Sequence, residues 1–105
     1  MNRGEVWWAD LAAPAGRRPV LLLSRDGAYA RRDSLTVAPI TTRTRGIRTE
    51  VVLGPDEGLP RRSVVNLDNM LTMDKTALLR YAGALSGAKL RAVEDAIHFA
   101  LGLTY

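Results

Sequence analysis

Two short segments place polar side chains at the end of an apolar strand. One reads RRPVLLLS and begins with Arg17 and Arg18, and the other reads APITTR and contains Thr41. Arginine offers a permanent planar cation that suits a phosphate, and a threonine hydroxyl can donate or accept a hydrogen bond. If the two strands lie side by side, Arg18 and Thr41 form a phosphate-binding site that uses neither a metal nor a histidine.

The composition is typical of one globular domain over residues 1–105. Of these residues, 47% are hydrophobic and 25% are charged, which supports a single modest core. No apolar run approaches the roughly 18–20 residues that span a bilayer, and the first residues show no signal peptide. Because the chain has no cysteine, disulfides and thiolate metal sites are excluded. These features favour a cytoplasmic location.

The positive charge is concentrated in the first half of the chain. Residues 1–48 contain nine arginines and four acidic residues, whereas residues 49–105 contain six basic and seven acidic residues. Thirteen of the fifteen basic residues are arginine, which binds phosphates and stacks on bases. The N-terminal half is therefore predicted to face nucleic acid. A GC-rich genome would also favour arginine over lysine, but it explains the asymmetry less well.

Short apolar or alternating runs separated by turn residues predict a small, mainly β domain, either a barrel or a strongly bent sheet. Residues 25–34 are expected to form a loop or a short helical turn, and the arginine-rich residues 43–48 a mobile loop. Pro39, near the end of the third strand, indicates an edge or a bulge. The strands are predicted at residues 6–11, 19–23, 35–40, 49–53, 63–67 and 78–85, with a turn at 73–75.

Residues 87–101 form the one clear predicted helix, with Ser86 as a suitable N-cap. Its apolar arc, widened by alanines and Phe99, exceeds what one contact with a sheet needs. The excess indicates either a subunit interface or small side chains on an exposed face. The central apolar stripe consists of Leu90, Val93, Ile97 and Leu101.

The remaining residues that could take part in catalysis or ligand binding have structural explanations. His98, the single histidine, follows Glu94 by four residues, a spacing typical of an ion pair on a helix surface. With one histidine and no cysteine, the chain offers no Ser/His/Asp arrangement and no metal cluster. Trp7 and Trp8 point to opposite faces of their strand, so we expect one in the core. The other could stack on a base or line a dimer interface.

Five motifs resemble, in order and spacing, those of the MazF/PemK toxins. They are RGEVWWADL at residues 3–11, RPV at 18–20 with Ser24 closing the strand, PITT at 39–42, SVVNLDNMLT at 63–72, and GALS at 83–86 before the helix. The resemblance implies an SH3-like small β-barrel of the CcdB/MazF/PemK type with a C-terminal helix, assembled as a homodimer. It also implies a metal-independent, sequence-selective endoribonuclease that needs no cofactor. Such a toxin cleaves single-stranded RNA and is neutralised by a cognate antitoxin with a flexible segment.

The resemblance also suggests the site residues. Arg18 would neutralise the scissile phosphate, and Thr41 would hydrogen-bond a phosphate oxygen or the 2′-hydroxyl. The expected products are a 2′,3′-cyclic phosphate and a 5′-hydroxyl. Asp68 and Asn69 fall where family members contact RNA bases. The further RNA-binding candidates are Arg17, Thr42, Arg43 and Arg45, with Arg48 beside them.

The sequence leaves several alternatives open. Arg18 could instead form an ion pair with Asp10 or Glu5, and the Thr41 hydroxyl could be satisfied by backbone. The loop before Arg18 is shorter than in many relatives and lacks the carboxylate assigned a catalytic part in some of them, so no residue is identified that moves the proton. The competing functions are a CcdB-like toxin that poisons DNA gyrase and a non-catalytic RNA- or peptide-binding barrel.

Overall fold

An antiparallel sheet of seven strands dominates the computed structural model, which describes residues 1–103. The strands are β1 (Glu5–Leu11), β2 (Gly16–Leu22), β3 (Ser34–Thr41), β4 (Glu50–Leu53), β5 (Ser63–Asn66), β6 (Leu71–Asp74) and β7 (Leu78–Ala84). Along the sheet their order is β4, β5, β3, β2, β1, β7, and β6 pairs with β3. Strand β3 is therefore central, with β2 along one side and β5 and β6 along the other.

Helices occupy a small part of residues 1–103, and none of them is long and apolar enough to cross a membrane. The α-helices are α1 (Ala28–Arg31) and α2 (Gly87–Ala100), and the 3₁₀ turns are Pro55–Glu57, Leu67–Asn69 and Lys75–Ala77. The short α1 lies within the segment predicted as a loop or helical turn. The predicted mainly β architecture with a C-terminal helix is confirmed.

The six predicted strands are present, and the structure adds β6. The predicted turn at residues 73–75 is wrong, because Leu71 pairs with Val37 and Asp74 pairs with Ser34 of β3. A four-residue run carries too little periodicity to be recognised as a strand, and it is the pairing with β3 that makes it one. Strand β2 also begins three residues earlier than predicted, since β1 pairs with it as far as Gly16.

Of the edge or bulge predicted at Pro39, the edge is wrong, because Pro39 lies in the central strand β3. On one side it stands opposite Val20 of β2. On the other side the partner of β3 changes from β6, which reaches Val37, to β5, which begins at Ile40. A proline has no backbone N–H to donate. Where the partner of β3 changes, no neighbouring strand requires a backbone hydrogen bond from this residue.

The core consists of two clusters on opposite faces of the sheet. Leu21 belongs to the cluster that also contains Val93 of α2, whereas Val20 and Leu22 belong to the cluster around Tyr29. Successive side chains of a strand point to opposite faces, so the continuous apolar run of β2 is buried on both sides. This is the burial predicted from the sequence.

Helix α2 is capped as predicted, because the Ser86 hydroxyl accepts the backbone N–H of Lys89 at 3.2 Å. Val93 is buried against the sheet, but Leu101, predicted to continue the apolar stripe, is 56% exposed. The helix ends at Ala100, which releases Leu101 from the packed face. Its excess apolar surface is therefore real and lies towards its C-terminal end.

The loop between β4 and β5 is fastened to the rest of the fold at two points. The buried carboxylate of Glu57 accepts the Lys89 ammonium of α2 at 2.8 and 2.9 Å and the Gly54 N–H at 2.7 Å. Next to it, Gly58 with φ +83° lies against Gly83 of β7 so closely that a Cβ on either glycine would overlap backbone. These contacts place the 59–63 segment that follows.

Candidate active site

Arg18 and Thr41 belong to neighbouring strands, as the sequence requires for a shared site. Strands β2 and β3 pair Leu21 with Ala38 and Val20 with Pro39. The pairing ends two residues short of Arg18 and Thr41, which by strand alternation lie on the same face as Val20 and Pro39. Opposed residues of an antiparallel pair lie on the same face of the sheet, so the two side chains share a surface.

Two adjoining pockets meet at these residues. The pockets measure about 290 and 380 Å³, and both are lined by Arg18, Ile40 and Thr41. We call the two together the cleft. Its open form and its position between strands suit an extended polymer that runs past Arg18 and Thr41 rather than an enclosed small molecule.

Arg18 is exposed and is oriented by the hairpin that precedes it. Its Nε donates to the Ala15 carbonyl oxygen at 3.1 Å. Within residues 1–103 it forms no ion pair with Asp10 or Glu5, so that alternative is wrong. The short loop therefore fixes the base of the guanidinium and leaves its two terminal nitrogens for a ligand.

Thr41 is the last residue of β3 and is half-buried. Its hydroxyl oxygen accepts the backbone N–H of Arg43 at 3.1 Å, so the alternative of a backbone-bonded hydroxyl holds in part. An accepting hydroxyl still has its own proton to donate. The bond orients Thr41 Oγ1 without using up its capacity as a donor.

The predicted RNA-binding arginines line the cleft on opposite sides of Arg18. Arg17 lines the smaller pocket together with Thr42, and Arg43 and Arg45 line the larger one. Arg61, which no sequence motif singled out, joins Arg17 in the smaller pocket. Five arginines against one carboxylate, Glu50, make the cleft a cationic surface suited to polyanions.

Asp68 and Asn69, the two candidates in the 3₁₀ turn after β5, differ in position relative to the cleft. Asn69 lines the larger pocket. Asp68 lines neither pocket, and its carboxylate accepts the Thr49 hydroxyl at 2.8 Å. The Asp68 N–H donates to the Asn66 side chain at 2.9 Å, which caps the turn. Of the nine candidates, Asp68 and Arg48 lie outside the lining of the cleft, and Arg48 stacks on Phe99 of α2 instead.

Two polar residues of the larger pocket escaped the sequence prediction. Asn66 lies two positions before Asp68 in the NLDN motif, a proximity that could have signalled it. Glu50 opens β4, and its carboxylate accepts the Thr44 hydroxyl and the N–H groups of Arg45 and Gly46 at 3.0–3.1 Å. Desolvation raises the pKa of Glu50, but these hydrogen bonds outweigh it and bring the pKa below its ordinary value.

The tryptophans divide between core and cleft as expected. Trp7 packs on the core cluster around Tyr29 and donates its indole N–H to Glu5 at 2.9 Å. Trp8 lines the smaller pocket and carries the Arg80 guanidinium 5.5 Å from its ring centre. His98 lines a separate pocket beside α2 rather than the cleft. Trp8 is thus the aromatic ring available beside Arg18.

Fold and site together define a small antiparallel β-barrel protein with a C-terminal helix and a cationic cleft. The family described as the PemK-like, MazF-like toxin of type II toxin-antitoxin systems matches residues 2–101. The chain belongs to this family, and the resemblance seen in the sequence motifs is confirmed.

Relatives and solved structures agree with this assignment. The chain is 45% identical over 100 residues to the probable endoribonuclease MazF5 of Mycobacterium tuberculosis, covering 94% of this chain and 91% of the relative. It superposes on the Mycobacterium tuberculosis toxin MazF-mt6 with a TM-score of 0.89 and 37% identity, covering 96% and 99% of the two chains. A mycobacterial endoribonuclease in complex with its cognate antitoxin gives 0.89 and 31%, covering 100% and 98%. The predicted SH3-like barrel of the MazF/PemK type is confirmed.

Proposed function

We propose that this protein is the endoribonuclease toxin of a type II toxin–antitoxin pair and cleaves single-stranded RNA in the cleft. The observation that carries the proposal is that Arg18 of β2 and Thr41 of β3 line both of the adjoining pockets. The names of the relatives support the activity. Neither a gyrase-poisoning toxin nor a passive binding barrel explains a cation and a hydroxyl donor set side by side on this face.

RNA carries its own nucleophile, so the protein has to orient it and stabilise charge. The 2′-oxygen forms a bond to phosphorus while the bond from phosphorus to the 5′-oxygen breaks. The 2′-hydroxyl loses its proton, the leaving 5′-oxygen gains one, and the products are a 2′,3′-cyclic phosphate and a 5′-hydroxyl. Arg18 neutralises the charge that develops on the phosphate oxygens, and the Thr41 hydroxyl donates to one of them.

The proposed roles of these residues are electrostatic and orientational. A permanently charged guanidinium and a neutral hydroxyl are both poor bases. Glu50 is the carboxylate in the larger pocket, but three donors already occupy it and its pKa is depressed. A carboxylate in that state holds protons weakly, so we assign it no part in proton transfer.

The exposed apolar surface supports a homodimer. Leu79 and Tyr81 project from β7, and Phe99 and Leu101 lie at the end of α2, each 46–56% exposed. Side chains of this size gain most from burial when a second copy covers them. A dimer would account for the excess apolar arc of the helix, and analytical ultracentrifugation measures it directly.

A cognate antitoxin is the second partner in this proposal. One solved relative is a mycobacterial endoribonuclease in complex with its cognate antitoxin. The cationic cleft of this chain suits a flexible acidic segment that would compete with RNA for the same arginines. RNA, antitoxin and toxin would meet in the cytoplasm.

The proposal is tested by incubating the purified protein with RNA in EDTA and mapping the cut ends. Cleavage at a recurring sequence, leaving cyclic phosphate and 5′-hydroxyl ends, is the expected result. Arg18→Ala is expected to lower kcat by about 10²–10³-fold, as the loss of one charge-stabilising donor does elsewhere. Arg31→Ala, an exposed arginine of α1 outside the cleft, is the matched control.

Two results would contradict this assignment. Full activity of a folded Arg18→Ala protein would remove Arg18 from the reaction. No cleavage of any RNA by the wild type would leave the gyrase-poisoning and binding functions, which gyrase inhibition and RNA-binding assays separate. Loss of activity in EDTA with recovery on adding a divalent cation would overturn metal independence.

A further inference from the structure

The loop between β3 and β4, residues 42–49, carries two of the arginines that line the cleft. Arg43 and Arg45 both reach the larger pocket, although the loop has little apolar support of its own. Ile47, its one large apolar residue, is 41% exposed. A loop of this composition is expected to be mobile, so something else must hold the arginines at the pocket.

The carboxylate of Glu50 holds this loop. It lies at the first position of β4 and accepts the Thr44 hydroxyl at 3.1 Å, the Arg45 N–H at 3.1 Å and the Gly46 N–H at 3.0 Å. Gly46 has φ +66°, a conformation that lets consecutive N–H groups converge on one anion. The loop is thus folded around a single charged group anchored in the sheet.

The two ends of the loop are attached by other contacts. The Thr41 hydroxyl accepts the Arg43 N–H at 3.1 Å, and the Arg48 guanidinium lies 4.3 Å from the centre of the Phe99 ring in α2. Neither contact reaches Arg45 or Gly46. The Glu50 backbone N–H donates to the Ile47 carbonyl oxygen at 3.0 Å and the Gly46 N–H to the Thr44 hydroxyl at 3.3 Å, but within residues 1–103 only the Glu50 carboxylate joins Thr44, Arg45 and Gly46 to the sheet.

The groups around Glu50 favour its ionised form. Arg18, Arg43 and Arg45 line the larger pocket with it. On the other side of β4, Arg48 and Asp95 line a groove in which Glu50 also takes part. Cations outnumber the one neighbouring carboxylate. Against the opposing effect of desolvation, the hydrogen bonds from the loop bring the pKa of Glu50 below its ordinary value, so the anchor is charged at neutral pH.

We propose that Glu50 is a positioning residue, which holds the 42–49 loop in the shape that presents Arg43 and Arg45 to the RNA backbone. This role rests on the proposed function, since it concerns the same cleft. All the hydrogen bonds of the Glu50 carboxylate go to the loop, and Arg18 and Thr41 lie on strands that do not depend on it. Its removal should therefore weaken RNA binding more than the chemical step.

The expected size follows from the population of the ordered loop. If the loop without its anchor keeps the binding shape about one tenth of the time, the apparent affinity falls about tenfold. Glu50→Ala is then expected to raise KM about tenfold and to change kcat less than twofold. Glu50→Gln keeps one accepting oxygen and should give an intermediate KM.

The experiment compares wild type, Glu50→Ala, Glu50→Gln and the control Glu94→Ala on one short RNA substrate. Glu94 is an exposed carboxylate of α2 that pairs with Arg3 at 3.7 Å and does not contact the loop. Hydrogen exchange of the Arg45 and Gly46 amides is measured in the same proteins without RNA. Faster exchange of these two amides in Glu50→Ala, with the KM rise and an unchanged Glu94→Ala, supports the role.

Each other outcome has a distinct meaning. If wild type cleaves but Glu50→Ala keeps its KM and its amide protection, the positioning role is overturned. If kcat falls while KM and amide exchange stay unchanged, Glu50 acts in the chemistry instead, which also overturns it. If wild type cleaves no RNA at all, the proposed function fails, and the amide exchange still reports separately whether Glu50 orders the loop.

Discussion

Replacing Lys89 by methionine is expected to destabilise the fold by removing the partner of a buried carboxylate. Lys89 and Glu57 join at 2.8 Å, and their side chains are 35% and 3% exposed. Methionine keeps most of the side-chain length and apolar contact of lysine. The Glu57 carboxylate, however, would keep only the hydrogen bond from the Gly54 N–H and would lose the two from the Lys89 ammonium.

The magnitude follows from the unequal burial of the pair. Removing one member of a fully buried ion pair costs about 3–5 kcal/mol. Because about a third of Lys89 is exposed, water replaces part of the lost interaction, and we expect a loss of about 2 kcal/mol in the free energy of unfolding. For a domain of about 100 residues this lowers Tm by about 10 °C.

Urea unfolding at pH 7 and fixed protein concentration measures this loss, since dimerisation would make stability depend on concentration. With a slope of about 1–2 kcal/mol/M, the midpoint should fall by about 1–2 M. Arg91→Met removes a positive charge from an exposed site on the same helix and should stay within about 0.5 kcal/mol of wild type. Equal effects of Lys89→Met and Arg91→Met would refute the ion-pair argument.

Three further outcomes are expected. Gly83→Ala should lower the free energy of unfolding by at least about 2–3 kcal/mol, because the added Cβ would lie 2.4 Å from the Glu57 carbonyl oxygen. The control Gly87→Ala, in the open first turn of α2, should be neutral or stabilising in thermal unfolding. Burial raises the pKa of Tyr29 to about 12, so its contribution to stability is present below pH 10 and is lost as pH rises through about 12. The Tyr29→Phe protein should lack that loss in pH-dependent unfolding, and an identical loss would contradict it. Arg45→Ala should make the slope of log K against log salt for single-stranded RNA shallower by about 0.7, and an unchanged slope would show that this arginine contacts no phosphate.

The sequence predicted the elements that carry their own periodicity. The apolar run of β2 and the amphipathic helix α2 were recognisable because each buries a pattern that is repeated along the chain. Strand β6 was not, since four residues become a strand only when β3 lies beside them. The central position of Pro39 was equally hidden, because it depends on where β6 ends and β5 begins.

The candidate site likewise contains residues that the sequence predicts and residues that only the folded structure reveals. The motif residues Arg18 and Thr41 could be proposed from the sequence because Arg18 directly precedes one predicted strand and Thr41 directly follows another. Glu50 could not, since its importance lies in hydrogen bonds to residues 44–46 that only the folded loop brings around it. The position of Arg61 in the cleft likewise depends on the contacts by which Glu57 fastens the loop between β4 and β5.

The two kinds of residue in the cleft are held by different means, and this separation has a functional meaning. Arg18 and Thr41 lie on paired strands whose side chains the core fixes on both faces. Apart from Arg17 on β2, the surrounding arginines lie on loops, one gathered by Glu50 and the other fastened through Glu57. Rigid strands preserve the geometry that the phosphate reaction demands, while loops tolerate changes of sequence. Substitutions in the two loops should therefore alter which RNA is bound, and substitutions on the strands should alter whether any RNA is cut.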